Sequence, residues 1–207
     1  MKRRFEISPP ALAVCAAGFF VLFGNARFWA AILRGHSAGS PSSWLIAITT
    51  GALLLGLHFL LLLPFTGRRV LQPFLTVLLL ANAAAVHFME RFGVIFDASM
   101  MRNVFQTDAR EAADLITPGL FASLFLLGVL PAVAVWMVGL RNEPLAAALR
   151  RRAAFVAAAL LLVTGAGLVS YKSYASFFRN HREARFMVPP ISFVASGIGV
   201  GMESLRA

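Results

Sequence analysis

The sequence is short of charge, has a single cysteine and lacks every common catalytic signature. Charged residues fill 14% of its 207 positions, against about 25% in an average soluble domain. That deficit argues against an ordinary soluble fold. Cys15 is the one cysteine, so no intrachain disulfide and no cysteine-based metal cage can form. Its place in an apolar run suits a small packing residue. There is no G-x-S-x-G, no P-loop and no H-E-x-x-H, so these residues contain no hydrolase or kinase active site. The histidines His36, His58, His87 and His181 show no i, i+4 ligand spacing, and no metal site is expected among them. The apolar run behind the basic start "MKRR" is long and has no clear small-residue cleavage site, so it reads as a retained anchor.

What the sequence has is oil-compatible length. Hydrophobic residues make up 59% of it. A spanning helix needs about 20 mostly apolar residues, and five runs meet or approach that. They cover about 11–33, 44–65, 70–89, 120–140 and 153–170, the first interrupted by Asn25 and Arg27. The fold class expected is an all-α membrane protein of five transmembrane helices with amphipathic helices outside the membrane. Thr117-Pro118 suits a helix start, with Thr as cap and Pro in the first turn. The turns between runs, such as "TGRR" and "RNEPLAAALRRR", are polar or helix-breaking.

The formal net charge is +10. No nucleic-acid-binding module is visible, and the cations cluster beside apolar runs, so they read as orientation and lipid contact. Lys2, Arg3, Arg4, Arg68, Arg69, Arg141 and Arg150 to Arg152 fall on one side of a five-span layout. That side is expected to be cytoplasmic, with the N-terminus, which puts the C-terminus in the periplasm. The other side holds the loop at about 91–118, with Asp97, Asp108, Glu111 and Asp114, but also the basic tail residues Lys172, Arg179, Arg182 and Arg185.

The loop contains the most polar stretch, "MMRNVFQTDAREAADL". Asn103, Thr107 and Glu111 are spaced i, i+4, i+8, which on a helix makes one row of about 12 Å. Met101, Val104, Phe105, Ala112 and Leu115 fall on the opposite arc, so one amphipathic helix, or two short ones, is expected. An amide, a hydroxyl and a carboxylate suit a zwitterionic head group. The carboxylate pairs with an ammonium, and the other two donate to phosphate. A plain solvated face is the alternative, with Asp108 as a helix cap and Glu111 three residues on. His58, Asn82 and His87 lie on apolar runs and give thin support for a transport path.

The tail "YKSYASFFRNHREARFMVPP" reads as a helix lying at the interface, with Tyr171 and Tyr174 in the aromatic belt. Arg179, Arg182 and Arg185, at i, i+3, i+6, form a basic stripe for lipid phosphates. Pro189-Pro190 ends the helix. The small residues before "GMESLRA" suggest no further packed element, so 171–207 is expected to hold an interfacial helix and the start of a linker, after a membrane domain over 1–170.

The stretch "FMERFGVIFDASMMRNVFQTDAREAADLITPGLF", with "GVLPAV" and "YKSYASFFRNHREARFMVPP", resembles the lipid A phosphoethanolamine transferases, the inner-membrane family that includes polymyxin-resistance proteins. The resemblance covers nearly the whole chain. It implies a five-helix membrane domain joined to a periplasmic catalytic domain of the alkaline phosphatase type, which would lie beyond Ala207. There a zinc-assisted threonine would take phosphoethanolamine from phosphatidylethanolamine and pass it to lipid A. The family's head-group contacts fall on Asn103, Thr107 and Glu111. The resemblance implies membrane lipids and the protein's own catalytic domain as partners, and no nucleic acid. It also implies that the 207 residues alone are inactive. A small transporter subunit or a non-catalytic membrane scaffold remain the rival readings.

Overall fold

A computed structural model describes residues 6–34, 36–37, 39–108, 110 and 115–205. Its first apolar run is bent. Helix α1 (Pro9–Phe19) opens with two prolines, whose missing N–H groups cost nothing in a first turn. A π-helical turn follows over Phe20–Gly24. The chain then resumes as α2 (Ala26–Leu33), at 64° to the first part. The single span expected over about 11–33 is therefore a broken pair. A wide turn leaves carbonyls unbonded, and nearby side chains take them up. Asn25 Nδ2 donates to Phe20 O at 2.7 Å, and Trp29 Nε1 donates to Val21 O at 2.8 Å.

Helix α3 (Pro41–Leu62) is capped by Ser40, whose hydroxyl accepts from Ser43 N at 3.2 Å, and runs on through a 3₁₀ turn to Phe65. Helix α4 (Leu71–Phe92) ends on Gly93, at φ 71°, where a side chain would strain the backbone. Helix α5 (Ala98–Gln106) stands in the loop that follows. The next span joins α6 (Pro118–Ser123), a π-helical stretch over Leu124–Val129, and α7 (Leu130–Met137). Pro131 has no N–H to return to the preceding turn, which explains the widening just before it. The Thr117 hydroxyl accepts from Leu120 N at 3.2 Å, the cap expected there.

Helix α8 (Leu145–Val169) begins about eight residues before the expected start near 153. "LAAALRRR" is polar at its end, but Ala, Leu and Arg are strong helix formers, so the helix runs through it. Helix α9 (Tyr171–Asn180), a 3₁₀ turn (Arg182–Phe186) and α10 (Ile191–Ser204) complete the order. Among the described residues, four helices are long and apolar enough to cross a membrane, and the bent pair makes a fifth candidate. The protein is an all-α membrane protein.

One end of the bundle is marked by a short parallel pairing of β1 (Glu6–Ile7) with β2 (Gly139–Leu140). Arg152 donates to Thr66 O at 2.6 Å, and Arg151 pairs with Glu143 at 3.1 Å, so the turn after α3 and the start of α8 lie there too. The opposite end holds the start of α3 and the end of α8, tied by a 2.7 Å Thr49–Ser170 hydroxyl bond. The core lies between α1, α3 and α4, around Phe20, Leu62, Leu71, Leu75 and Leu79. Helix α8 is outermost, with Leu161 and Leu168 74% and 77% exposed. Apolar exposure of that extent suits a helix facing lipid.

The expectation of no packed element past Pro190 is corrected by α10. Phe193 stacks edge-on against Phe96, and the Ser196 hydroxyl donates to Phe96 O at 3.0 Å inside the core. Gly197 faces Met101 of α5, where an added Cβ would make an ordinary 3.5 Å contact.

Candidate functional site

The end of the bundle away from the strand pair carries the polar helix α5. Its start is fixed by Asp97, whose carboxylate accepts from Ser99 Oγ at 2.6 Å and Met100 N at 2.8 Å. Those bonds, the Ser99 hydroxyl first, hold the Asp97 carboxyl below the usual carboxylate range. Its length is held by α10, through the Phe96 contacts and an Arg102–Glu203 ion pair at 3.4 Å. Helix α5 is thus a rigid ledge fastened from behind.

The row expected on it is only partly helical. Helix α5 ends at Gln106, and Thr107 leaves helical geometry at ψ 125°. Both the Thr107 N–H and its hydroxyl donate to Asn103 O, at 2.8 Å and 2.7 Å. A β-branched hydroxyl beside a helix end readily takes the last carbonyls, which closes the turn there. Asn103 and Thr107 therefore stay one turn apart, at an exposed edge. Asp108 then accepts from Arg110 N at 2.9 Å, as a residue opening a new turn does. Glu111 lies outside the described residues. The expected apolar arc is also looser than its pattern: Val104 is 45% exposed.

The basic stripe is divided as well. Arg179 belongs to α9, whereas Arg182 and Arg185 belong to the 3₁₀ turn beyond His181, whose backbone is not helical. In a 3₁₀ turn residues three apart eclipse, so Arg182 and Arg185 share a face. All three are exposed, and Arg185 lies over the Phe186 ring at 4.7 Å.

Two intramembrane histidines act as fasteners, whereas the buried Asn82 amide has no hydrogen-bond partner among the described residues. His58 is fully buried, with Nδ1 2.7 Å from Leu54 O and Nε2 3.2 Å from Pro189 O. It ties α3 to the segment leading into α10. Asn82 is buried beside Gly24, where a Cβ would come within 3.0 Å of its amide. His87 stands 3.4 Å from both the Thr117 and Ser123 hydroxyls, joining α4 to α6. Among the described residues, no three His, Cys, Asp or Glu side chains gather into a metal-binding group.

Sequence reasoning did not find a cavity of about 460 Å³ at this same end, between α2 and α9. Arg34, Lys172 and Asn180 border it. The signal available was the spacing of Lys172, Ser176 and Asn180, four residues apart, but their partner element, α2, is distant in sequence.

A helical membrane bundle with a polar ledge and basic turns at one end is the class these features define. Residues 54–205 match the family described as phosphoethanolamine transferase EptA/EptB, and the chain belongs to that family. It is 30% identical over 194 residues to phosphatidylethanolamine transferase Mcr-2 of Escherichia coli, covering 93% of this chain and 36% of that protein. It is 28% identical over 199 residues to phosphoethanolamine transferase EptA of Escherichia coli K12, again with 36% of that protein covered. The solved structure of the integral membrane lipooligosaccharide phosphoethanolamine transferase A from Neisseria meningitidis superposes with a TM-score of 0.89 at 27% identity. That superposition covers 98% of this chain and 38% of the other. The chain thus spans a little over a third of the length of these relatives.

Proposed function

We propose that this chain is the membrane portion of a transferase that moves phosphoethanolamine from phosphatidylethanolamine to lipid A, and that it holds the donor head group. The observation that supports the reading is α5: the polar segment lies within the residues matched to the family and is held by Asp97 and α10. In this reading Glu111 pairs with the ammonium, and Asn103 and Thr107 donate to the phosphodiester. Thr107 can do so by turning its hydroxyl from the Asn103 carbonyl, which keeps the Thr107 N–H. Arg179, Arg182 and Arg185 lean on lipid phosphates beside it. The protein sits in the bacterial inner membrane with the strand-pair end in the cytoplasm and α5, α9 and α10 in the periplasm.

The nucleophilic threonine and the zinc belong to sequence outside these residues, in a catalytic domain that also partners α5. The described residues offer no ligand set that fits zinc. Their contribution is to bind and orient. His58, enclosed by Leu54 O, Pro189 O and the Asn25 amide, has one N–H on a neutral ring to donate to one carbonyl at a time; this is the setting of a tie between elements and lends no weight to a transporter.

The test is amide hydrogen exchange on the chain in nanodiscs. Phosphatidylethanolamine, against phosphatidylcholine alone, is expected to protect the amides of α5 and the residues that follow. Glu111→Ala and Asn103→Ala are each expected to weaken that protection about tenfold. Equal protection in both lipids, or full protection in both variants, overturns the reading.

A further inference from the structure

The cavity between α2 and α9 has a one-sided chemistry. Its walls carry Arg34, Lys172, His36, Ser173, Ser176 and Asn180, and among the described residues no carboxylate lines it. Among the described residues, the one acid paired at its rim is Glu183, which stands 3.5 Å from His181. Among the described residues, the side chains of Arg34, Lys172, Ser173, Ser176 and Asn180 donate to no protein acceptor. Lys172, Ser176 and Asn180 recur every four residues, so α9 presents them along one face.

The floor is apolar. Ile32 and Ile46 are each 3% exposed, and Phe177 packs edge-on against Phe28. Cations held above a dry floor attract an anion more strongly than they would in open water. The first turns of α3 turn Ile46 inward to the cavity and expose Trp44, Leu45 and Ile48 on the other faces, at 63%, 49% and 67%. Donors without protein acceptors thus sit over an apolar floor, at the end of the bundle where α3 begins.

We infer that this cavity binds the phosphate group of an anionic amphiphile whose acyl chains run from the apolar floor at Ile32, Ile46 and Phe177 into the membrane. Arg34 and Lys172 supply the charge, and Ser173, Ser176 and Asn180 supply directional donors to the phosphate oxygens. The inference rests on the proposed function for its meaning. With the donor head group on α5, a second phosphate site at the same end is where a phosphorylated acceptor lipid docks.

The experiment uses the chain in phosphatidylcholine nanodiscs, with phosphatidic acid as the probe amphiphile and inorganic phosphate as the soluble one. Phosphatidic acid is expected to slow exchange of the α9 amides, and millimolar inorganic phosphate is not. Arg34→Gln combined with Lys172→Gln is expected to weaken the phosphatidic acid effect at least tenfold. Arg68→Gln combined with Arg69→Gln, at the other end of the bundle, removes the same charge and is expected to change it less than twofold. Equal loss in the two double variants overturns the site in favour of diffuse surface charge. Equal protection by inorganic phosphate overturns the amphiphile, and no protection overturns both. Protection of α5 by phosphatidylethanolamine, measured in the same preparations, reports separately on the donor reading.

Discussion

Asp97 is one carboxylate, and the position of α5 depends on it. A side-chain cap contributes about 1 kcal/mol to a helix, and α5 has only nine residues to lose. Asp97→Ala is expected to raise amide exchange over Met100–Asn103 about fivefold, the factor that follows from such a loss, while leaving α4 unchanged. The pH dependence has a definite sign. The Ser99 hydroxyl and then the Met100 N–H favour the charged carboxylate, so the folded pKa lies below the unfolded one. The cap is therefore fully present above the unfolded value, near pH 4, and is lost as pH falls through the folded value. The exchange difference between wild type and Asp97→Ala should be full at neutral pH and close in strong acid. His58 and Thr107 are also residues whose identity was visible but whose use was not. Hydropathy placed His58 in a span, yet its partner Pro189 O is 131 residues away in the chain.

At the scale of elements, close approach decides stability. Helix α8 leans on α3 at Gly56, where a Cβ would stand 2.5 Å from Val163 Cγ2 and 3.2 Å from Ala159 O. Gly56→Val must push α8 away, and overpacking of this kind costs about 1–3 kcal/mol. A lowered melting temperature in detergent, by several degrees, is expected. Gly165→Ala on α8 is the control: nothing lies within 4 Å of its position, so the change is expected to be neutral or stabilising, because Ala is the better helix former. Equal melting of the two variants would mean that α3 and α8 do not pack through Gly56. The long runs were legible in the sequence because every backbone group in lipid must be bonded within its own helix. The break after Phe19 was less so. Asn25 and Arg27 interrupted the pattern, but the bend depends on Asn25 and Trp29 reaching back to carbonyls. The row through Asn103, Thr107 and Glu111 was legible as spacing. Its helical continuity was not, because the Thr107 hydroxyl competes for the Asn103 carbonyl.

For the whole molecule, charge sets direction. Arg68, Arg141, Arg151 and Arg152 gather at the strand-pair end, around the turns after α3 and before α8. In the proposed orientation these short basic turns lie in the cytoplasm. With Cys15 replaced by Ala, a cysteine at Gly67→Cys is expected to resist a membrane-impermeant maleimide in spheroplasts, and one at Ala175→Cys is expected to react. The reverse pattern would invert the protein and put α5 in the cytoplasm. The sequence by itself determined the solvent, the helical class and the family. Those follow from hydrophobic length and from the local order of polar residues, both properties of contiguous chain. Tertiary structure alone decided that α10 clasps α5, that His58 ties α3 to the segment before α10, and that Arg34 faces Lys172 across a cavity. Those pairings join segments some 100 to 140 residues apart, and no local periodicity encodes which helix faces which.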